Sequence, residues 1–295
     1  MKSEVCLSIY SVDIKKLLTY SDFETLSNTL IELKEKVNNE FRKLSFSIDF
    51  ICGHDNSVLG AVYNYSPDTA ALMSLFYNQT IGSNISSYTT DQMVQNISNN
   101  SFEKGSIYYT AYCLEDYIFW PNIEKQCHSI TEIYNFDCEI LSKYPLTNDS
   151  FIRRANYIFS DVYFSENCFE SIRSIKGKDI TYFSAPFVRA LSALQQCAPL
   201  IKNSNNNSND LDIIGATAGF ECTAQGANKD NRFNFMFKID SQNEEKKIFC
   251  EYHLKINTCN NKGDSFHYQN RIYFGLSNIE TKGKVICIGH IGGHL

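Results

Sequence analysis

Hydrophobic and polar positions alternate along this chain with a period that changes several times. Residues 4–12 alternate one by one, which predicts a first strand. From residue 23 to residue 44 apolar positions recur at steps of three and four, which predicts an amphipathic helix. The capping box Ser21-Asp-Phe-Glu24 marks its predicted start. Apolar and polar residues alternate one by one again at 46–52 and at 58–65, which predicts two strands joined by a short turn. The chain is therefore predicted to open as strand, helix and hairpin.

The later patterns are more varied. The elements they predict are a strand at 107–114, a helix at 122–142, a strand at 157–164, a helix capped by Ser184-Ala-Pro186 and an exposed Asn/Ser-rich loop at 202–210. Pro145, Asn148 and Asp149 punctuate the chain in between. We therefore predict two domains, residues 1–147 and residues 148–295.

The last third of the chain returns to alternating patterns. Strands are predicted at 232–240, 247–257, 271–276 and 284–290, joined by polar turns. Together with the earlier helices they predict an α+β fold in two lobes, with mixed or antiparallel sheets and flanking helices. The C-terminal domain is expected to end in an antiparallel sheet.

Composition places the protein among globular chains, with 43% hydrophobic and 20% charged residues. The formal net charge of −6 argues against a dedicated nucleic-acid binder, although it allows a local basic patch. No stretch approaches the roughly 18 apolar residues of a membrane span. Residues 1–11 lack the apolar segment of a secretory signal, so a cytoplasmic location is expected. The eleven cysteines, with no Cys-x-x-Cys motif, are accordingly expected to be reduced and mostly buried.

Candidate chemistry collects on the polar sides of the closing strands. Side chains alternate along a strand, so Glu251, His253 and Lys255 are predicted to share one face. On the next strand, Arg271 and Tyr273 are predicted to lie on the polar side. If the two strands pair, the set can supply a general acid, a general base and a phosphate clamp without a metal. The alternative interpretation is the solvated face of a half-buried antiparallel sheet with cross-strand ion pairs.

Two histidines close the chain in Gly289-His-Ile-Gly-Gly-His-Leu295. The spacing of His290 and His294 resembles a zinc pair only on a helix, and the glycines between and before them oppose a helix. No metal and no cofactor are therefore predicted.

The ending resembles two groups of bacterial proteins. Lys255 on one strand, Arg271-Ile-Tyr-Phe274 and then Val285-Ile-Cys-Ile-Gly-His290 resemble the closing strands of RelE/ParE-type toxins, and Gly289–Leu295 resembles uncharacterised proteins, suspected of roles in defence, that finish in Gly-His-x-Gly-x-His-Leu. The resemblance covers residues 247–295. It implies that Lys255 and Arg271 bind RNA phosphates, and that Tyr273 or His290 assists proton transfer.

Two function hypotheses stay open on the sequence. In the first, a bacterial toxin- or defence-type protein contacts RNA through its C-terminal sheet and cleaves it without a metal. Glu251, His253, Tyr273 and His290 are then the catalytic candidates, and Lys255 and Arg271 bind the substrate. In the second, the chain is a non-catalytic module or assembly subunit that binds a protein partner, such as an antidote, with no membrane involved. The sequence decides neither between enzyme and binding module nor the oligomeric state.

Overall fold

The chain forms two units, each with its own sheet. The computed structural model describes residues 2–51, 57–65, 82, 84–103, 105–225, 231–239, 245–256 and 269–295. The units are Met1–Phe136 and Asp137–Leu295. Their division lies inside a helix, whereas the sequence pattern places a boundary after residue 147.

The N-terminal unit is built on a parallel sheet. Its elements are β1 Lys2–Leu7, α1 Tyr20–Val37, β2 Arg42–Phe46, α2 Ile48–Ile51, α3 Val58–Tyr65, α4 Thr90–Ser98, β3 Ile107–Tyr112, β4 Gln126–Cys127 and α5 Ile130–Lys143, which runs across the division. The strand order is β2-β1-β3-β4, and every neighbouring pair is parallel.

The predicted opening hairpin is wrong. Helix α1 connects β1 to β2 as a crossover. It returns the chain to the end of the sheet at which β1 begins, so the two strands are parallel. Ser47 ends β2, because its hydroxyl accepts a hydrogen bond from the Phe50 amide and starts the turn of α2. Val58–Tyr65 is a helix, capped by the Ser57 hydroxyl on the Gly60 amide at 3.0 Å. The turn of that predicted hairpin, Gly53-His-Asp-Asn56, lies outside the described residues.

The amphipathic helix is confirmed with different ends. It finishes at Val37, so Leu44, which fits its spacing, belongs to β2 instead. The capping box is formed by Thr19 and Asp22 rather than by Ser21 and Glu24. The buried face of α1 consists of Phe23, Leu26, Ser27, Leu30, Leu33 and Val37. It packs with β1 and β2 in one core, while Cys6 and Trp120 belong to a second core, so β1 contributes to both.

The C-terminal unit holds a mixed sheet and a small second one. After α5 come α6 Asn148–Ile158, β5 Val162–Phe164, α7 Asn167–Ser171, α8 Ile180–Ile201, α9 Asn207–Ala218, β6 Cys222–Ala224, β7 Asn234–Lys238, β8 Glu245–Phe249, β9 Tyr252–Ile256, β10 Asn270–Ile279 and β11 Gly283–Gly293. Five strands form a sheet in the order β5-β11-β10-β9-β6, and β7 pairs with β8. Only β5 and β11 are parallel in the five-stranded sheet. The predicted α+β class with mixed sheets is confirmed.

From residue 122 onward, several predicted elements have other bounds in the structure. The segment 122–142 is the short strand β4 followed by α5, and 157–164 is strand only at Val162–Phe164. Helix α8 begins after the cap Asp179, so Pro186 lies inside it. The predicted loop at 202–210 already contains the start of α9, which Asn206 caps. The single strand predicted at 247–257 is two strands, β8 and β9, in different sheets.

The β7–β8 sheet packs on one face of the five-stranded sheet. Phe237, Ile248 and Cys250 form an apolar cluster there with Val285 and Cys287 of β11. Gly275 and Gly289 permit the close approach, since a Cβ at Gly289 would lie 2.2 Å from the Phe235 ring. The long helix α8 packs against β5, β9 and β11.

Two wider expectations bear on the described residues. Their nine cysteines are all free, as predicted, and seven of them are buried. Burial raises the pKa of Cys287 to about 12, so this thiol stays protonated at neutral pH. None of the helices in this part of the chain combines the length and the apolar character needed to cross a bilayer.

Candidate functional site

The two strands that carry the predicted site are neighbours. In the antiparallel register of β9 and β10, His253 lies opposite Tyr273 and Lys255 lies opposite Arg271. Directly opposed residues of an antiparallel pair project to the same face. The two strands therefore pair, as the site hypothesis requires, and these four of its five strand residues lie on one face.

Three of these side chains are in the interior rather than on a solvated face. His253 is 3% exposed, Arg271 9% and Tyr273 0%. Phe233, the last residue of a short 3₁₀ turn before β7, places its ring centroid 5.4 Å from that of Tyr273. The solvated-face interpretation is wrong for these residues, because all three are buried and an aromatic ring from a distant part of the chain packs against Tyr273.

Arg271 is a buried cation with few partners. Its Nη1 donates to His253 Nε2 and to Tyr273 Oη, each at 3.3 Å. Its Nε is buried and has no hydrogen-bond partner. None of the ion pairs between described residues includes this guanidinium. Since an uncompensated buried charge is costly, an arginine in this state is suited to an anion supplied from outside the chain.

His253 is neutral in this setting. Its Nε2 accepts from Arg271 and lies 3.1 Å from Thr223 Oγ1, while Nδ1 faces the Glu251 carbonyl at 3.5 Å. These contacts assign the ring proton to Nδ1. Burial, helped by the positive charge of Arg271, lowers the pKa of His253 to about 4. The imidazole thus positions Arg271 without adding a second positive charge.

His290 reaches the same group of side chains through a β-bulge. The register of β10 and β11 shifts between Tyr273 and Phe274, which leaves Gly289 as the extra residue and sets His290 opposite Tyr273. The two rings meet edge to face, with centroids 5.5 Å apart. His290 Nε2 donates to the Gly293 carbonyl at 2.8 Å, and burial lowers the pKa of the imidazole.

Two predicted site residues do not join this group. Glu251 precedes β9 and has no partner in the β9–β10 register. No hydrogen bond or ion pair links its carboxylate to another described residue. The Lys255 ammonium forms an ion pair with Glu221, so its charge is already compensated. The structure thus brings together four of the six predicted residues: His253, Arg271, Tyr273 and His290.

The structure adds residues that the sequence did not suggest for this chemistry. Thr223 on the edge strand β6 lies opposite His253 and contacts its ring. The exposed His294 has its ring centroid 6.4 Å from that of Tyr273, and burial followed by the charge of Arg271 lowers its pKa. We name Thr223, His253, Arg271, Tyr273, His290 and His294 the Arg271 cluster. The sequence held a signal for His294, which lies four residues beyond the predicted strand 284–290, but none for Thr223.

The chemistry of the Arg271 cluster is that of an oxyanion site. It combines one permanent cation, a phenol, a hydroxyl and three imidazoles, and it contains no carboxylate. Guanidinium and imidazole N–H groups are strong donors to phosphate oxygens. No set of His, Cys, Asp and Glu side chains suited to a metal occurs within the described ranges.

A phosphate-type ligand is therefore the chemistry that the cluster fits. Comparisons with protein-family models, with curated proteins and with solved structures find no match to this chain.

Proposed function

We propose that the C-terminal unit binds RNA through a phosphate held by Arg271, and that the protein is a toxin- or defence-type effector of a bacterium. One observation carries the proposal: the buried Arg271 guanidinium has an unpartnered Nε and no carboxylate partner among the described residues. A phosphate oxygen supplies both the missing acceptor and the missing negative charge. Lys255 has a smaller part than the sequence suggests, because Glu221 compensates it.

The geometry supports binding more directly than cleavage. Cleavage by attack of a ribose 2′-hydroxyl on the adjacent phosphorus needs a base, an acid for the departing 5′-oxygen and a stabiliser of the added charge. Arg271 suits the last task. The Nε2 lone pair of His253 is engaged by Arg271 and Thr223, so this imidazole is better placed to position than to accept a proton. Tyr273 and His290 stay the candidates for proton transfer.

The test is RNA binding by matched arginine variants. Fluorescence anisotropy with a labelled single-stranded RNA would compare wild type, Arg271→Gln, Arg271→Lys and Arg173→Gln. Arg173→Gln is the control, since it removes the same charge from an exposed arginine already paired with Asp149 and Glu170. Charge-assisted hydrogen bonds contribute about 1.5–3 kcal/mol, so Arg271→Gln should weaken binding about tenfold or more.

The lysine variant separates charge from shape. Arg271→Lys keeps the positive charge but loses the planar fork, and we expect intermediate affinity. Circular dichroism melts would verify that all variants are folded. Equal RNA affinity of wild type and folded Arg271→Gln would refute the proposal. Incubation of the same RNA in EDTA, with products separated on a gel, tests the predicted cleavage: Arg271-dependent fragments would extend the proposal from binding to catalysis.

A second candidate function is a module that binds a protein partner. The observation that favours it is a groove of about 450 Å³ between the end of the edge strand β5 and strand β7, with the aromatic side chains Phe164, Phe169 and Phe235 in its lining. Edge strands offer unpaired backbone groups to an added strand. Met236→Asp, at an exposed lining position, would abolish partner capture under this hypothesis and leave RNA binding unchanged.

A further inference from the structure

We infer that the phosphate held by Arg271 is a terminal one, a phosphomonoester at an RNA end, rather than a phosphodiester within the strand. The inference rests on the proposed RNA binding and specifies which phosphate is recognised. The burial of the Arg271 cluster and its charge both lead to this assignment.

The steric argument starts from how little of the guanidinium is accessible. Arg271 is 9% exposed, and its Nη1 contacts His253 and Tyr273, which are more deeply buried. An internal phosphodiester carries a nucleoside on both sides, so bringing its oxygens to Arg271 would require both sugars to enter the interior. A monoester carries one nucleoside and can enter end-on, with three oxygens leading.

The charge argument concerns the imidazoles. A phosphomonoester carries about −1.5 to −2 charges at pH 7, whereas a phosphodiester carries one. The cluster offers one fixed positive charge and three imidazoles whose pKa values are lowered. Arg271 contributes to that lowering at His253 and His294. The second negative charge of a phosphomonoester beside Arg271 would favour protonation of an imidazole. The guanidinium and the imidazolium would then balance the charge of the phosphate.

The cluster also contains nothing that repels a dianion. Glu251 contacts the cluster only through its backbone carbonyl, which faces His253 Nδ1, and the carboxylate of Glu221 forms an ion pair with Lys255. The Tyr273 hydroxyl, which accepts from Arg271, can itself donate to an oxygen, and an imidazole that becomes protonated gains a second N–H donor. The shared chemistry is a phosphomonoester group, which can come from an RNA end or from a free mononucleotide.

The experiment compares RNA ends on one sequence. A ten-nucleotide RNA would be prepared with a 5′-phosphate, with a 3′-phosphate and with hydroxyl groups at both ends, each labelled internally. We expect one phosphorylated form to bind wild type about tenfold more tightly than the hydroxyl form. Arg271→Gln should abolish this difference and Arg173→Gln should retain it. Unlabelled AMP, used as competitor, measures how much the rest of the RNA contributes.

Each outcome has a distinct meaning. Equal binding of the three RNAs, weakened equally by Arg271→Gln, would overturn the end-recognition inference and leave the proposed RNA binding standing. A preference that survives in folded Arg271→Gln would overturn the inference and the proposed role of Arg271 together. AMP that binds as tightly as the phosphorylated RNA would assign the cluster to free mononucleotides instead. Absence of binding for all three RNAs would refute the proposed function itself. The wild-type comparison of ends stays informative even if a variant fails to fold.

Discussion

At the scale of single residues, the main finding is the unusual environment of Arg271. Alternation, a local property of a strand, predicted that Arg271 shares a face with Tyr273 and that both meet His253 if the two strands pair. Burial was not predictable in the same way. Phe233, whose ring covers Tyr273, lies 40 positions earlier in the chain, and its place depends on how the β7–β8 sheet packs.

A titration of His253 tests this environment. We expect an NMR-measured pKa of about 4 in wild type and a higher value in Arg271→Gln, because the variant removes a neighbouring positive charge. The value should stay below about 6.5, the usual pKa of histidine, because burial is the larger cause and persists. Arg173→Gln should leave the titration unchanged. An unaltered pKa in folded Arg271→Gln would show that the guanidinium is not beside this imidazole.

The sign of the effect on stability follows from the same pKa. In the unfolded chain the pKa of His253 is about 6.5. Its neutral state in the fold therefore contributes to the free energy of unfolding, and the contribution is complete above that pH. That contribution is lost progressively as the pH falls toward about 4. His290 and His294, whose pKa values are also lowered, act in the same direction.

At the scale of secondary-structure elements, the local sequence patterns predicted several elements correctly but placed many of their ends wrongly. Helix α1 was predicted from its apolar spacing, while its cap was assigned to Ser21 and Glu24. The pattern Thr19-x-x-Asp22, two residues earlier, can form the same pair of side-chain to backbone hydrogen bonds. The chain offers both solutions, and the observed one adds hydrogen bonds from the Leu18 and Thr19 amides to the Asp22 carboxylate.

Alanine substitutions distinguish the two caps. Thr19→Ala should lower the free energy of unfolding by about 1 kcal/mol, because Thr19 Oγ1 accepts from the Asp22 amide. Ser21→Ala, inside the helix, should change it little. Urea unfolding followed by the fluorescence of Trp120, the only tryptophan, reports on the N-terminal unit. A larger effect of Ser21→Ala than of Thr19→Ala would contradict the observed cap.

The bulge at Gly289 is the element-level feature on which the cluster depends. Gly289→Ala should destabilise the C-terminal unit by about 1–3 kcal/mol, because the added methyl would overlap the Phe235 ring. Phe235→Leu in the same chain should recover part of the loss, since a smaller side chain leaves room. Chemical unfolding of the two single variants and the double variant measures this coupling. Strict additivity would mean that the two residues do not touch.

At the scale of the whole molecule, the charge balance separates this protein from basic RNA-binding domains. A net charge of −6 offers little general attraction to a polyanion. Binding that depends on one buried arginine should therefore depend little on salt. In a plot of log K against log salt concentration, each phosphate contact to a single strand contributes a slope of about −0.7.

The salt dependence of RNA binding follows from the slope per phosphate contact. We expect a slope of about −0.7 to −1.5 for wild type, corresponding to one or two phosphate contacts. Anisotropy titrations over a series of KCl concentrations measure it, with Arg173→Gln as the charge-matched control. A slope steeper than about −4 would indicate an extended basic surface and contradict binding centred on Arg271.

The sequence by itself determined the α+β class, the presence of helix α1 and two pairs of residues that share a face, His253 with Lys255 and Arg271 with Tyr273. All of these depend on spacing within short segments, where the period of apolar residues directly reflects local geometry. Tertiary structure alone decided three other features: the parallel pairing of β1 with β2, the burial of Arg271, and the pairing of Lys255 with Glu221, 34 positions away. Each joins segments far apart in the chain. Such contacts form only when whole sheets pack, and no local pattern encodes which distant side chain will arrive.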